Sequence, residues 1–262
     1  MSARPKKSFG QHFLHEKRYI ERIVSAVSPK PNDFVVEIGP GEGALTLPLL
    51  AVAGKLTAIE LDTDLIPDLQ ARAAAVGELS IIHADVLKVD FTALAHRHGV
   101  ERLRIAGNLP YYISSPILFH CVEHAAAIQD MHFMLQKEVV DRMAAEPGSK
   151  VYGRLSVMLQ LACRVEPLFT VPPGAFRPPP KVDSAVVRVT PLPVAQLHDA
   201  DPARVYAVVK AAFAQRRKTL NNALRQLMDS EAIRAADVDP KARAETLAPM
   251  DFVRLAKVPT GG

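Results

Sequence analysis

The segment 107–111, with the sequence Gly-Asn-Leu-Pro-Tyr, combines residue types that could recognise a flat ligand with polar edges. The amide of Asn108 can both donate and accept hydrogen bonds, and the carbonyl of Leu109 offers a second acceptor. Pro110 fixes its own φ and removes an N–H that would compete for the ligand. The ring of Tyr111 adds a stacking face, so the segment suits a planar base that carries an exocyclic amine.

The elements that position this segment follow from the apolar pattern. Short β-branched apolar stretches predict buried strands, and longer periodic stretches predict helices. The predicted strands are 33–38, 55–60, 79–83, 103–106 and 130–135, and the predicted helices between them are 44–53, 64–76, 116–124 and 138–145. Strands that alternate with helices predict an α/β fold with a parallel, doubly wound sheet. Right-handed crossovers bring the loops after the strands to one edge, where ligands bind in such folds.

The last part of the chain has a different pattern. Pro191 and Pro193 indicate a linker, and from residue 202 onward the apolar periodicity is helical. The sequence therefore predicts two domains. The first is an α/β ligand-binding domain over residues 1–191, and the second is a small all-α domain over residues 192–262.

Side chains that could bind a nucleoside cofactor follow the first three strands. The segment 39–43, Gly-Pro-Gly-Glu-Gly, is a turn at which the backbone can approach a ligand closely, and Glu37 precedes it inside the strand. Glu60 could accept hydrogen bonds from ribose hydroxyls and Asp85 from an adenine amine. Each acid alone could equally cap a helix or lie exposed in a loop. Their succession at the ends of neighbouring strands favours a cofactor site.

Several motifs resemble a known enzyme family. The cofactor segments look like the S-adenosylmethionine site of Rossmann-like class I methyltransferases, and with segment 108–111 they are similar to adenine amino-methyltransferases. Three further stretches, 9–14, 134–138 and 178–185, narrow the resemblance to the ribosomal RNA adenine dimethyltransferase family, in particular its bacterial small-subunit branch. The resemblance covers about residues 8–257 and is weakest toward the end of the chain.

The resemblance implies that S-adenosylmethionine is the cofactor. Its contacts, carried over position by position, would be His12, Leu14, Gly39, Gly41, Glu60, Asp85 and Asn108. Related sequences often have asparagine where this chain has His12, which can still donate a hydrogen bond. Tyr112 is a second departure, since a relative can have asparagine there, and the resemblance gives it no role.

The resemblance also implies a catalytic set: Asn108, Leu109, Pro110, Tyr111 and Phe176. The Asn108 oxygen and the Leu109 carbonyl would hold the amine hydrogens of an unpaired adenine, so that its lone pair faces the methyl donor. Such alignment of reactants is worth roughly 7–11 kcal/mol. Tyr111 and Phe176 would stack on the two faces of the base. Alternatively, Tyr111 could cover the sheet edge and Phe176 could anchor its loop in the core.

The implied reaction is dimethylation of two adjacent adenosines near the 3′ end of small-subunit ribosomal RNA. We expect the substrate to be the immature 30S particle and the enzyme to be a cytoplasmic monomer. The net charge of +4 says little alone, but two separated basic patches, within residues 1–22 and at 215–218, suit the phosphate backbone of an RNA partner. Candidate phosphate contacts are Arg4, Lys6, Lys7, Lys137, Arg142, Arg154, Lys181, Arg216, Arg217 and Lys218. Any one of these could instead be solvated surface charge.

Other functions remain open at this point. They are a ribosome assembly factor that acts mainly by RNA binding, a related large-subunit RNA methyltransferase, and a nicotinamide oxidoreductase that uses the glycine turn. No metal is expected, because His120 and His124 lack a third candidate ligand. Cys121 and Cys163 suggest buried thiols in a reducing compartment. No apolar run reaches the roughly 18 residues of a membrane span.

Overall fold

The computed structural model describes residues 12–193, 199–215 and 217–259. Residues 9–11 of the first motif, the basic residues Arg4, Lys6 and Lys7, and Arg216 lie outside the described residues. Over the described residues the chain folds as two compact units. One is formed within Met1–Val140 and Glu166–Pro191, and the other within Asp141–Val165 and Leu192–Gly262.

A mixed sheet forms the centre of the first unit. The strands in the described part of the chain are β1 (Phe13–Leu14), β2 (Val35–Ile38), β3 (Lys55–Glu60), β4 (Glu78–His83), β5 (Leu103–Asn108), β6 (Ile128–Gln136), β7 (Cys163–Val171), β8 (Phe176–Arg177) and β9 (Ser184–Pro191). The large sheet has the order β4-β3-β2-β5-β6-β9-β7, and β1 pairs separately with β8. Strands β2 to β6 are parallel, and β9 is antiparallel to β6.

The strand order explains why a ligand site forms where it does. From β2 the chain moves outward through β3 to β4 and then returns to the other side of β2 with β5. In doubly wound sheets, a crevice opens at such a reversal, outside the carboxyl ends of the strands. The glycine turn after β2 and the polar segment at the end of β5 therefore lie side by side.

Helices cover the sheet and form most of the second unit. Within the described residues they are α1 (Lys17–Val27), α2 (Thr46–Ala53), α3 (Ile66–Ala73), α4 (Phe91–Arg97), α5 (Ser114–Glu123), α6 (Lys137–Met143), α7 (Arg154–Gln160), α8 (Pro202–Ala212), α9 (Leu220–Ala223), α10 (Ser230–Ala235) and α11 (Pro249–Lys257). The predicted α/β class, with helices on both faces of the sheet and further helices toward the end of the chain, is confirmed. Within the described segments, every helix is too short or too polar to cross a lipid bilayer.

Each unit buries its own hydrophobic core. In the first, α1 and α2 bury side chains such as Ile23, Leu49 and Leu50 against the sheet. In the second, Tyr152 and Phe252 are fully buried among residues of α7, α8 and α11, and the Tyr152 hydroxyl donates a hydrogen bond to the Leu247 carbonyl at 2.9 Å. Burial of each such side chain contributes roughly 1.5–3 kcal/mol. Residues 141–165 thus pack with the helices that follow residue 192.

A buried charge network fixes α1 to the sheet. Arg104 on β5 is 8% exposed, and its guanidinium donates to Asp33 at 2.7 Å and to Asp130 at 2.9 Å. It also donates to the carbonyls of Val27 and Ser28, at 2.7 and 3.2 Å, where α1 ends. Because the last carbonyls of a helix have no partner within the helix, this arrangement satisfies them. The network holds α1, which follows β1, against the start of β5.

Removing the guanidinium should destabilise the fold strongly. In Arg104→Met, two partly buried carboxylates lose a cation that is itself buried, and breaking such a pair costs up to about 3–5 kcal/mol. The measurement is the free energy of unfolding in urea. The control is Arg102→Met, whose half-exposed guanidinium lies 3.9 Å from Glu101 and whose loss should cost under about 0.5 kcal/mol. Equal effects of the two substitutions would contradict the role of the network.

Candidate active site

A cleft at the carboxyl ends of the parallel strands gathers nearly all the predicted site residues. The predicted residues that line it are His12, Leu14, Gly39, Gly41, Glu60, Asp85, Asn108, Leu109, Pro110 and Tyr111. Phe176 does not line the cleft. The residues come from β1 and from the ends of β2, β3, β4 and β5, so the sheet topology brings together positions that are far apart in sequence.

Two glycines allow the backbone to approach closely at this edge. Gly41, in the turn after β2, has a φ of 54°, and a Cβ there would lie 3.1 Å from the Phe13 ring. Gly107, in β5, lies so close to β2 that a Cβ would be 2.6 Å from the carbonyl oxygen of Ile38. Any larger residue at position 107 would push β5, and the Asn108 that follows, away from the glycine turn.

Glu60 at the end of β3 is held by the backbone. One carboxylate oxygen accepts the N–H groups of Leu61 and Asp62, both at 2.8 Å, and the other accepts that of Gly41 at 3.3 Å. Burial raises the pKa of Glu60, and these backbone hydrogen bonds oppose the rise. A carboxylate has about four acceptor positions, so three N–H groups leave room for a hydroxyl of a ligand.

Asp85 caps a short helical turn and also lies at the cleft. One oxygen accepts the N–H of Leu87 at 3.0 Å and so caps the short 3₁₀ turn Val86–Lys88. The residue also lines the cleft. In the described part of the chain, no donor contacts its second oxygen, which can therefore accept a hydrogen bond from a ligand amine.

The orientation of the Asn108 amide is fixed by one hydrogen bond. Its Nδ2 donates to the backbone carbonyl of His12 at 3.0 Å, and the His12 ring in turn donates from Nδ1 to the carbonyl of Pro178 at 2.8 Å. Among the residues described, none donates to Asn108 Oδ1. The next residue is also fixed, because the N–H of Leu109 donates to the Met134 carbonyl at 3.1 Å. The cleft thus presents a positioned amide oxygen beside a positioned backbone carbonyl.

Tyr111 lines the cleft with a half-buried ring. Its hydroxyl lies 2.6 Å from Ser184 Oγ, and its ring stacks on that of His12 with centroids 5.6 Å apart and an angle of 29°. Burial raises the pKa of Tyr111, so the phenol stays neutral near pH 7. The ring is therefore held at both its edge and one face. Ser184 belongs to the stretch 178–185 that carried the family resemblance, but its contact with Tyr111 was not predicted.

Glu37 is a site residue that the sequence analysis did not assign. It is 1% exposed in β2, lines the cleft, and has no partner for Oε2 in the described part of the chain. Burial raises the pKa of Glu37 to about 8; the Thr46 hydroxyl opposes the rise and the Glu60 carboxylate adds to it. The signal in the sequence was an acid inside an otherwise apolar strand, which is costly unless a ligand or partner compensates for it.

Phe176 occupies a different place from the one expected of a base clamp. Its ring is 2% exposed and packs in the core of the first unit with Leu14, Val171 and Val186. The cause is the pairing of β8 with β1, in which Phe176 lies opposite Leu14. Because side chains alternate along a strand, Phe176 turns inward and its neighbour Arg177 is exposed. In this structure Phe176 anchors its loop in the core, which was the alternative interpretation.

The remaining candidates do not contribute to the cleft. The rings of both histidines are used in hydrogen bonds within the protein. His120 Nε2 donates to the Val89 carbonyl at 2.8 Å, and His124 Nδ1 lies 2.9 Å from Thr92 Oγ1. Across the described ranges, no cluster of side chains could hold a metal ion. Both cysteines are buried outside disulfides. The candidate phosphate contacts that are described are mostly exposed: Arg142, Arg154, Lys181, Arg217 and Lys218, with Lys137 half-buried.

Comparisons with known proteins cover nearly the whole chain. A family model described as ribosomal RNA adenine dimethylase matches residues 2–260. Proteins named ribosomal RNA small subunit methyltransferase A, from Xanthomonas oryzae pv. oryzae and Xanthomonas campestris pv. campestris, are each 62% identical over 98% of this chain and 97% of their own length.

Two solved structures are also similar. A dimethyladenosine transferase from Plasmodium falciparum has a TM-score of 0.80 and 26% identity, over 93% of this chain and 96% of its own. The 23S rRNA methyltransferase ErmE has a TM-score of 0.73 and 27% identity, over 94% of this chain and 98% of its own. Both structures match this chain almost from end to end.

Phe176→Ala tests whether the ring is an anchor. Loss of a fully buried phenylalanine should lower the free energy of unfolding by about 3–5 kcal/mol. Phe176→Leu, which keeps most of the apolar volume, should cost much less, about 1.5 kcal/mol at most. Both are measured by urea unfolding of the protein without RNA. Unchanged stability in Phe176→Ala, together with weaker RNA binding, would instead support the base clamp.

Glu37 should make the stability of the ligand-free protein depend on pH. The folded protein keeps a proton on Glu37 between its ordinary pKa of 4.5 and the raised value of about 8, whereas the unfolded chain releases it. The free energy of unfolding should therefore fall as pH rises through this range. Glu37→Gln should flatten the slope, and Glu101→Gln, at an exposed acid, should not. Parallel pH profiles for wild type and Glu37→Gln would refute this.

Proposed function

The chain belongs to the ribosomal RNA adenine dimethylase family, and we propose that it dimethylates the exocyclic amines of two adjacent adenosines near the 3′ end of small-subunit ribosomal RNA. The methyl groups come from S-adenosylmethionine. The observation that carries this proposal is the fixed Asn108 amide, whose oxygen faces no protein donor among the described residues while its nitrogen is bound to the His12 carbonyl. Such an acceptor suits an amine, which must offer hydrogens to it.

The cleft has free hydrogen-bond acceptors at positions that suit S-adenosylmethionine. Glu60 has acceptor capacity left for a ribose hydroxyl, and the second oxygen of Asp85 can accept from the adenine amine. The turn at Gly39 and Gly41 lets the backbone approach the methionine part. Burial disfavours the ionised form of Glu37, and a cationic ligand would restore it. His12, just before β1, and Leu14 in β1 line the cleft on this side. When bound, this cofactor supplies an electrophilic methyl group.

The protein then acts mainly by orienting the target amine. The Asn108 oxygen and the Leu109 carbonyl accept its two hydrogens, which turns the nitrogen lone pair out of conjugation with the ring. Alignment of this kind contributes roughly 7–11 kcal/mol to lowering the barrier. The acceptors bind more strongly as positive charge develops on the nitrogen. No strong base is needed, because the methylated nitrogen is acidic and loses its proton readily. Pro110 contributes by having no N–H.

The target base needs a stacking surface as well as hydrogen bonds. A base must be unpaired to enter a cleft of this kind. Tyr111 is oriented for stacking on the base, because its contacts with Ser184 and His12 fix the ring in the absence of RNA. Stacking on an aromatic ring contributes about 1–3 kcal/mol per base. We assign no direct contact with the base to Phe176.

The family also suggests the substrate, the active form and the domain organisation. We take the immature 30S particle as the substrate and a cytoplasmic monomer as the active form. Residues 1–191 are assigned to the methyltransferase domain and 192–262 to the helical C-terminal domain, with 141–165 packing in the unit of the latter. Identity of 62% to proteins named for the small subunit, against 27% to one named for 23S rRNA, favours the small-subunit substrate.

The test is methyl transfer from labelled S-adenosylmethionine to small subunits that lack the modification. We expect label in two adjacent adenosines near the 3′ end of the RNA, mapped by mass spectrometry. Large subunits and already modified small subunits serve as controls and should take up no label. Absence of transfer, or label in large-subunit RNA, would overturn the proposal.

Asn108→Ala should remove most of the turnover and leave binding of the particle intact. Loss of one positioned hydrogen-bonding group in an active site typically costs 10²- to 10³-fold in kcat. We expect a loss of about that size in the rate of the first methyl transfer. Asn32→Ala, at an exposed asparagine in the loop before β2, is the control and should react normally. Turnover within threefold of wild type in Asn108→Ala would exclude the proposed role.

A further inference from the structure

Tyr112 is an exposed aromatic residue at the rim of the cleft. Its side chain is 61% exposed, the highest value among the large apolar residues of the described ranges, and it lines the cleft next to Tyr111. Tyr111 is half-buried and bonded to Ser184, whereas no hydrogen-bond partner of the Tyr112 hydroxyl is found in the described part of the chain. The two neighbouring rings therefore have different environments: the Tyr111 ring is held by contacts inside the cleft, and the Tyr112 ring is exposed to solvent.

The backbone beneath Tyr112 is held on both sides. It lies in the 3₁₀ turn Tyr111–Ile113, which follows Pro110 with φ −58°. The N–H of Ile113 donates to the Pro110 carbonyl at 3.2 Å, and Ser114 Oγ donates to the Tyr111 carbonyl at 3.1 Å where α5 begins. An aromatic ring on a fixed backbone has few degrees of freedom to lose, so little conformational entropy opposes stacking on it.

We propose that Tyr112 is a second stacking platform, which holds the nucleotide next to the adenosine in the cleft. This inference rests on the proposed function, in which two adjacent adenosines are modified. When one base enters the cleft, its neighbour loses a stacking partner and exposes a flat apolar face. Tyr112 offers a flat face at the rim, continuous with the site. A base stacked on an aromatic ring typically gains about 5- to 150-fold in affinity.

A platform of this kind has a consequence for the second adenosine. While one adenosine reacts, the platform keeps the other unstacked from the RNA and close to the entrance. After the first product leaves the cleft, the strand needs to move by one nucleotide to bring in the base from Tyr112. Tyr112 would thus act on substrate binding and on completion of both sites, and it would have no part in the methyl transfer itself.

Three substitutions at this position separate stacking from apolarity. Tyr112→Phe keeps the ring, Tyr112→Leu keeps an apolar side chain without a flat face, and Tyr112→Asn keeps a polar side chain without a ring. We expect Tyr112→Leu to raise KM for unmodified small subunits by about 5- to 150-fold, with kcat for the first methyl within about twofold. Tyr112→Phe should behave like wild type, and Tyr112→Asn should resemble Tyr112→Leu.

Product analysis gives a second readout. In limited reactions followed by mass spectrometry, Tyr112→Leu should yield several-fold more RNA that is modified at only one of the two adenosines. Met250→Leu, at an exposed apolar residue outside the cleft, is the control and should leave both KM and the products unchanged. Because Tyr112 is exposed, thermal unfolding should be unchanged, which excludes misfolding as the cause.

The outcomes distinguish this inference from the proposed function. If wild type transfers no methyl groups to small subunits, the proposed function fails. If wild type is active and Tyr112→Leu has wild-type KM and products, only the platform is refuted. If Tyr112→Leu weakens binding of S-adenosylmethionine, measured by calorimetry without RNA, while KM for the particle is unchanged, Tyr112 serves the cofactor and the platform is again refuted.

Discussion

The hydrogen bond between the Asn108 side chain and the backbone carbonyl of His12 is the contact on which the cleft depends. At 3.0 Å it links the end of β5 to the segment that enters β1, two parts of the chain 96 residues apart. It also settles which edge of the amide faces the ligand, because the nitrogen is used by the protein. Without this bond the Asn108 amide could rotate and present a donor where the proposed reaction requires an acceptor.

Acidic side chains at the two ends of the sheet are treated in opposite ways. At the start of β5, Asp33 and Asp130 are neutralised by the buried guanidinium of Arg104. At the opposite edge, Glu37 and Glu60 are more deeply buried, but no described lysine or arginine contacts either. Burying acids without a cation is costly, and the fold bears this cost where a positively charged ligand could relieve it. Asp33 and Asp130 therefore stabilise the fold, whereas the burial of Glu37 and Glu60 is consistent with the proposed cationic ligand.

The sequence predicted the sheet and most of the cleft because their signals are local. Apolar strands, the glycine turn and the strand-end acids can each be recognised within a few residues. Parallel topology then brings the ends of these strands to one edge of the sheet. Phe176 was harder, because its burial depends on the pairing of β8 with β1, two strands of two residues each that are far apart in the chain. The capping bond of Asp85 and the partner of Tyr111 depend likewise on side-chain geometry. The role of Glu37 was signalled by its polarity alone.

The close approach at Gly107 sets a limit on how this chemistry could be moved to another scaffold. The Asn-Leu-Pro-Tyr segment has the groups that we propose to hold the target base, but the carbonyl of Ile38 lies where a side chain at position 107 would begin. A designer who transplanted only these four residues would obtain a strand displaced from its neighbour and an amide moved away from the glycine turn. The smallest portable module is therefore two adjacent strands, with a residue lacking a side chain at their point of contact.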